Sequence, residues 1–445
     1  MSYEMIALLM FASMVLLLVS GQRVFAAIGF VASAAALLLY GPGAVELPFN
    51  QVFKLFNWYA MLTLPMFIYM GYILSESGIA EDLYKMLHVW FGRVRGGLAI
   101  GTIFLMVIIS AMNGLSVAGM AIGATIALPE MLRRGYDKVL ISGVIQGGSS
   151  LGILIPPSVV MVLYGMIARQ PVSKLWFAGL VPGLFMALLF VLYIVVRARM
   201  NPKLAPIVEE AELNMPLREK LALARAGIIP FAIFFFMTGL FVFGYTSLVE
   251  SSAVGAASAT LAAVIKRRFT WRLIRETSMK TLAVSCMFLW LILAALAFGA
   301  VFDGLGAVKA IENLFIHQWD LDPWAVILMM MASFIIMGIF LDDTAMLVIV
   351  APLYVPLVKV LDLGFPNQLI WFGVLYTITC QIAYITPPFG YNLFLMRSLA
   401  PKEITLMDIY RSIWPFVIIM AITIILVMMF PQIALWLPEH MSVKG

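Results

Sequence analysis

The sequence predicts an all-α polytopic membrane protein, arranged as an inverted-topology repeat with two re-entrant helical hairpins and two discontinuous spans. Three observations carry this expectation. Hydrophobic residues make up 63% of the 445 and charged residues 11%, against roughly 45–50% and about 25% in a soluble domain, so lipid must be the solvent. Two apolar segments, 98 to 132 and 323 to 360, exceed one pass and contain helix breakers. Punctuating residues also recur at a nearly constant offset. Gly71 and Gly78 precede Gly299 and Gly306 by 228, Gly135 precedes Gly364 by 229, Pro156-Pro157 precede Pro387-Pro388 by 231, and Pro182 precedes Pro415 by 233.

Taken in order, the apolar runs give spans at 3 to 20, 24 to 42, 58 to 75, 98 to 132, 138 to 168, 173 to 196, 227 to 246, 249 to 265, 281 to 301, 323 to 360, 367 to 398 and 412 to 436. The start, Met-Ser-Tyr-Glu-Met, has Glu4 where a secretory signal would be basic, so a retained first helix is expected. Arg93 and Arg95 precede the 98 to 132 segment and Arg133-Arg134 follow it, which puts both its ends in the cytoplasm and makes it re-entrant. The basic stretches from Arg197 to Arg225 and from Lys266 to Lys280 lie on the same side. Counting outward places both termini outside and the second hairpin, flanked by Asp320, Asp322 and Asp362, on the opposite face. Two short segments are amphipathic. One spans Gly78 to Gly92, with Ile79, Leu83, Leu87 and Trp90 on one face; the other carries Val308, Ile311, Leu314 and Phe315. The stretch from Gly41 to Asn57 reads as an outer loop.

Non-helical backbone persists at membrane depth only where it lines a polar cavity or a bound ion, because an unpaired peptide group costs several kcal/mol there. Four breaks are visible: Ser110 with Asn113, Gly114 and Ser116; Gly147 to Gly152 running into Ile155-Pro156-Pro157-Ser158; Gly338 with Leu341 to Thr344; and Ile385 to Asn392. Prolines free upstream carbonyls, and carbonyl, hydroxyl and amide oxygens are hard ligands suited to Na⁺. Half-helix N-termini at the same breaks suit a carboxylate. Gly-rich stretches also serve close helix packing, but recurrence in both halves favours a site. Asp342 and Asp343 belong in a cavity or at an interface, Glu250 is a cap or interface residue or a ligand, and Arg169 is an interfacial anchor or an anion ligand. Cys286 and Cys380 both lie in apolar runs and His88, His317 and His440 are scattered, so no disulfide framework or transition-metal site is expected. The basic residues sit in short loops and imply no nucleic-acid partner, and no Gly-Lys-Ser/Thr phosphate loop implies ATP.

The broken segments resemble the large membrane subunit of TRAP transporters, the tripartite ATP-independent periplasmic family of the ion-transporter superfamily. The likeness runs through Leu64-Pro65-Met66-Phe67, Ile126 to Met131 with Arg133 to Asp137, Gly152 to Ser158, Phe177 to Gly183, Ala253 to Ala256, Phe340-Leu341-Asp342 and Ile385 to Phe394. It implies Na⁺-driven uptake of a small organic anion, in particular a carboxylate, by an elevator movement in the bacterial inner membrane. The implied partners are a small four-helix membrane subunit and a periplasmic substrate-binding protein. Carried over by position, one Na⁺ site uses Asn113, Ser116 and the stretch Gly148, Ser149 and Leu151, and the other Asp342, Thr344, Thr386 and Gly390. Ser150, Pro157, Ser158, Asp343, Pro388 and Asn392 are left as substrate contacts. Residues 1–75 would then be scaffold helices and the start of the first repeat, 76–97 a cytoplasmic arm, and 98–170 the first half of the transport domain. Residues 171–302 would be scaffold with basic loops, 303–320 a periplasmic arm, 321–400 the second transport half, and 401–445 a last scaffold span and tail. The chain departs from the family at its hairpin tip, Asn113-Gly114-Leu115-Ser116, and at Gln381, where a Glu is common. Three alternatives stand beside this: a single-polypeptide Na⁺/dicarboxylate carrier of the same superfamily, a channel, and an intramembrane aspartyl protease built on Asp342-Asp343.

Overall fold

A computed structural model describes residues 2–441 apart from 42, 93, 115, 207–215, 314–317, 319–320, 339–340, 342 and 388–389, and the described residues form helices and connections without a strand. In chain order the principal helices are α1 Tyr3–Val19, α2 Val24–Ala35, α3 Glu46–Phe56, α4 Thr63–Glu76, α5 Ile79–Phe91, α6 Gly97–Asn113, α7 Ser116–Ile122, α8 Leu128–Arg133, α9 Lys138–Ser150, α10 Val159–Ala168 and α11 Val172–Met200. They continue with α12 Leu217–Phe234, α13 Leu248–Ile265, α14 Trp271–Gly304, α15 Ala307–Glu312, α16 Pro323–Gly338, α17 Asp343–Val360, α18 Gln368–Ile385, α19 Tyr391–Leu399, α20 Leu406–Met429 and α21 Gln432–His440.

Both long segments fold back on themselves. In the first, the Leu98 amide donates to the Tyr136 hydroxyl at 3.4 Å, the Thr102 hydroxyl meets the Met131 sulfur at 4.0 Å, and Gly119 and Gly123 lie against Met106, so α6 and the return arm α7–α8 run antiparallel. In the second, Ser333 and Tyr354 share a hydrogen bond of 2.8 Å, Gly338 faces Met346, and the Trp324 and Phe365 rings are 6.3 Å apart. The equal-offset glycines adopt equal conformations. Gly78 (φ 73°) and Gly306 (φ 78°) are left-handed N-caps of α5 and α15, and Gly135 (φ 75°) and Gly364 (φ 80°) close the two hairpins. A Cβ is strained at such φ values, which is the physical content of the repeat.

The two halves point in opposite directions, as α11 shows. Gly96, at the base of the first hairpin, packs on Ile194 and Ala198 near its C-terminal end, whereas Leu175 near its start touches Gly373. Trp371, two residues from Gly373, packs on Trp324 and Phe365 at the base of the second hairpin. The 29 residues of α11 rise about 43 Å, so the hairpins open at opposite ends of the molecule. The C-terminal helix lies at the second hairpin's end, where Asn367 reaches Glu439 at 3.5 Å, and Tyr3 packs on Gly306 at the cap of α15.

Some elements differ from the sequence expectation. The stretch read as an outer loop contains α3, bent by 63° from the following Tyr59–Glu76 segment. Pro48 sits in its first turn, where the missing N–H costs nothing, while Gln51 and Leu55 are buried and Phe49, Phe53 and Phe56 exposed. Among the described helices five, or six counting that bent pair, are long and apolar enough to cross a membrane alone. The other apolar runs are split by Gly/Pro breaks and by π-helical turns at Ala36–Tyr40, Gly123–Ala127 and Phe235–Gly239. Finally α11, α20 and α21 pack on one another and on α9, α10 and α18, whereas α2 to α4 pack with α13 and α14 and α1 packs on α2 and α15. Residues 172–200 and 406–440 therefore pack on the broken spans of both halves. Gly143 and Gly147 make this possible, since Phe416 of α20 lies flat on their bare faces.

Candidate ion and substrate site

The two broken spans meet in the middle of the molecule. α9 ends at Ser150, a single 3₁₀ turn Leu151–Ile153 follows, and Ser158 starts α10 as its N-cap. The Ser158 hydroxyl accepts from the Met161 amide at 3.2 Å and donates to the Ile153 carbonyl, so it holds the restart of the helix. The Pro156-Pro157 bond is cis. The tip of the first hairpin docks here: Gly114 (φ 68°) brings its backbone so close that a Cβ would lie 2.5 Å from the Pro157 carbonyl oxygen, and its own carbonyl accepts from the Val159 amide at 3.2 Å. The indole N–H of Trp176 donates to the Ser158 carbonyl at 3.4 Å.

Two amides from the second half reach into the first. Asn392, at the start of α19 and fully buried, donates to the Ser116 hydroxyl at 3.0 Å and to the Ser149 hydroxyl at 3.4 Å. Gln381 of α18 donates to the Ser150 carbonyl at 2.8 Å. The hydroxyls of Ser149 and Ser150 are spent on the carbonyls of Gln146 and Gly147, which turns their lone pairs outward. The amide oxygens of Asn392, Gln381 and Gln146 are buried without a partner. The result is a buried cluster of oxygens and amides, and no group of three or more His, Cys, Asp or Glu able to hold a metal occurs among the described residues. Its donor set suits a hard monovalent cation.

Of the sequence-predicted residues, Ser116, Ser149, Ser150, Pro157, Ser158 and Asn392 thus converge, with Asn392 lying between two serines expected at a different site. Gly148 packs its bare face on Met106. The Leu151 carbonyl already accepts from the amides of Leu154 and Ile155, which leaves its oxygen occupied. In the second set, Thr344 is buried, the Thr386 hydroxyl donates to the Ile382 carbonyl, and the Gly390 amide donates to the Thr386 carbonyl at 3.1 Å. Asp342 and Pro388 lie outside the described residues, as do the side chains of Asn113 and Asp343. Glu250 forms a capping box with Ser247 at the start of α13, and Arg169 is the left-handed C-cap of α10. Gln146 was not singled out from sequence; it is buried and donates to Ser412 of α20 at 3.1 Å. The available signal was an amide in the middle of an apolar run.

Comparison with known proteins agrees with this architecture. Residues 11–433 match the family described as the tripartite ATP-independent periplasmic transporter, DctM component. The chain is similar to the C4-dicarboxylate TRAP transporter large permease protein DctM of Pseudomonas aeruginosa, at 29% identity over 93% of this chain and 94% of that one. It is also similar to the sialic acid TRAP transporter permease protein SiaT of Haemophilus influenzae, at 26% identity over 86% of this chain and 60% of that longer protein. In fold it is similar to the YdaH transporter of Alcanivorax borkumensis, with a TM-score of 0.64 and 12% identity over 90% of this chain and 91% of that one. These relatives are transporter permeases, which removes the aspartyl protease reading. The chain belongs to the DctM family and is the large membrane subunit of a TRAP transporter.

Proposed function

We propose that this permease takes up a small organic anion, handed over by a periplasmic substrate-binding protein and driven by Na⁺, through an elevator movement of the two hairpin units. One observation carries this reading: Asn392 of one half is buried between Ser116 and Ser149 of the other, at the point where both halves break their helices. A buried cluster of hydroxyls at such a junction offsets its desolvation when it binds a cation. With Na⁺ bound, the Asn392 amide turns about its terminal torsion, and its oxygen joins the Ser116 and Ser149 hydroxyls. Their inversion and the arginines at the base of the first support re-entrance of the hairpins from opposite membrane faces. The substrate would lie over the restarts of α10 and α19, where helix N-termini favour a carboxylate. Relatives whose names specify a C4-dicarboxylate and sialic acid support an acidic solute.

The test is reconstitution. The chain alone in proteoliposomes, with Na⁺ outside and an inside-negative potential, should transport little, and adding the small membrane subunit with the loaded binding protein should restore uptake. Robust uptake by the purified chain alone would instead make it a single-polypeptide carrier. Uptake that runs equally well on a proton gradient without Na⁺ would remove the assigned coupling ion.

A further inference from the structure

We infer that the outer face of α14, at its first two turns, is a binding site for the headgroup of an anionic phospholipid. Six cations lie between Lys266 and Lys280: Lys266, Arg267, Arg268, Arg272, Arg275 and Lys280. They sort by direction. Lys266 pairs with Asp82 of α5 and Lys280 pairs with Glu76 at 2.9 Å, while the Arg268 guanidinium and the Glu81 carboxylate both lie beside Gly78. That side holds the arm. Arg272 pairs only with its neighbour Glu276, in an ion pair whose arginine is 86% exposed. Arg267 and Arg275, both exposed, have no carboxylate partner among the described residues.

The unpaired side is continuous with a lipid-facing stripe. Trp271, Arg275, Met279, Leu282, Cys286 and Trp290 recur three or four residues apart on α14 and are all exposed, Trp271 by 78%. A recess at the top of the stripe is lined by Trp271, Arg272, Arg275, Glu276 and Met279. Depth decides which anion fits. α14 has 34 residues, about 51 Å, against a hydrocarbon core of about 30 Å. Its apolar run begins near residue 281, so Arg275 stands about 9 Å above it, at the depth of lipid phosphates. A Trp at the helix end marks the same boundary. A glycerophosphate headgroup can therefore meet Arg275, and Arg272 beside it in the recess, while its acyl chains lie along Met279 and Leu282, an arrangement a soluble phosphate ion cannot use. Each surface cation is worth about 1 kcal/mol toward an anionic leaflet, roughly fivefold in affinity.

The test is retention of lipid by the full chain, purified from mixed phosphatidylglycerol and phosphatidylcholine and weighed by native mass spectrometry. The unmodified chain should retain phosphatidylglycerol over phosphatidylcholine by about fivefold or more. The R272Q/R275Q variant should bring that preference close to unity with its melting temperature unchanged. Arg275→Lys, which keeps the charge, should retain most of the preference, and Lys54→Gln on α3 all of it. An unmodified chain without preference, or a double variant that keeps it, would overturn the site. Displacement of the lipid by inorganic phosphate alone would assign the recess to a free anion instead.

Discussion

Asn392 is where one side chain couples both halves. Its two hydrogen bonds reach residues 276 and 243 positions away in the chain, and each is worth about 1 kcal/mol. If the same amide is an ion ligand, Asn392→Ala should raise the Na⁺ concentration for half-maximal uptake by about tenfold, a loss of about 1.4 kcal/mol, and Ser116→Ala should do so to a lesser degree. An amide that only braces the fold would instead lower the melting temperature and leave the Na⁺ dependence of the surviving protein unchanged. Gly114 makes a separate demand. At φ 68° and with a Cβ position 2.5 Å from the Pro157 oxygen, Gly114→Ala pays roughly 1–2 kcal/mol for the left-handed backbone as well as the displacement of the tip. Uptake should fall severely while the purified protein stays folded, because only the docking of the tip is disturbed. Normal uptake in Gly114→Ala would show that the tip tolerates movement away from Pro157.

At the scale of elements, the contact of α9 with α20 depends on two missing side chains. A Cβ on Gly147 would sit 2.2 Å from Phe416, and one on Gly143 would sit 2.5 Å from the Ser412 carbonyl oxygen. Overpacking of this kind costs roughly 1–3 kcal/mol per site, so Gly147→Ala should lower the melting temperature clearly, and Phe416→Ala in the same chain should recover part of the loss. Failure of that rescue would locate the strain elsewhere. The folding back of the two long segments, the breaks at the double prolines and the left-handed glycines of the repeat were legible in the sequence, because Gly and Pro act locally and their conformational demands leave a mark at each position. The sequence did not hold α3, whose Pro48 reads as a breaker unless the first turn is recognised around it. Nor did it hold the π turns, which no composition marks. The packing of α20 on α9 was hidden for another reason: whether a glycine in an apolar run receives a ring such as Phe416 depends on a partner more than 200 residues away. The site was legible as residue types at breaks, but the pairing of Asn392 with Ser116 and Ser149 is a product of tertiary folding alone.

For the whole molecule, the inversion makes a claim about sides that the folded chain alone does not orient in a membrane. Gly96 and Leu175 at opposite ends of α11 fix that the hairpins open in opposite directions. We expect the opening of the first hairpin to face the cytoplasm, since Arg95, Arg133 and Arg134 flank it and the positive-inside bias acts on short loops of this kind. The docked end of α21, with Glu439 against Asn367, puts the C-terminal helix at the same end of the molecule as the second hairpin, which on that expectation is the outer face. Four single cysteines test this, introduced into a chain in which the exposed Cys286 has been replaced by Ser. Val94→Cys and Arg133→Cys should react with a membrane-impermeant maleimide only after the cytoplasmic face is opened, and Asp362→Cys and His440→Cys should react in intact spheroplasts. The four sites separate the alternatives. Labelling of 94 and 133 from opposite faces would turn the first hairpin into an ordinary crossing, and labelling of all four from one face would contradict the inversion. Reversal of both pairs together would keep the fold and place the first hairpin outside, against the charge bias. The expected pattern leaves α5 at the cytoplasmic surface beside Lys266 and Lys280, where its ion pairs stay hydrated and contribute at most about 1 kcal/mol each, weak enough to be remade if the proposed elevator movement changes the angle of α5.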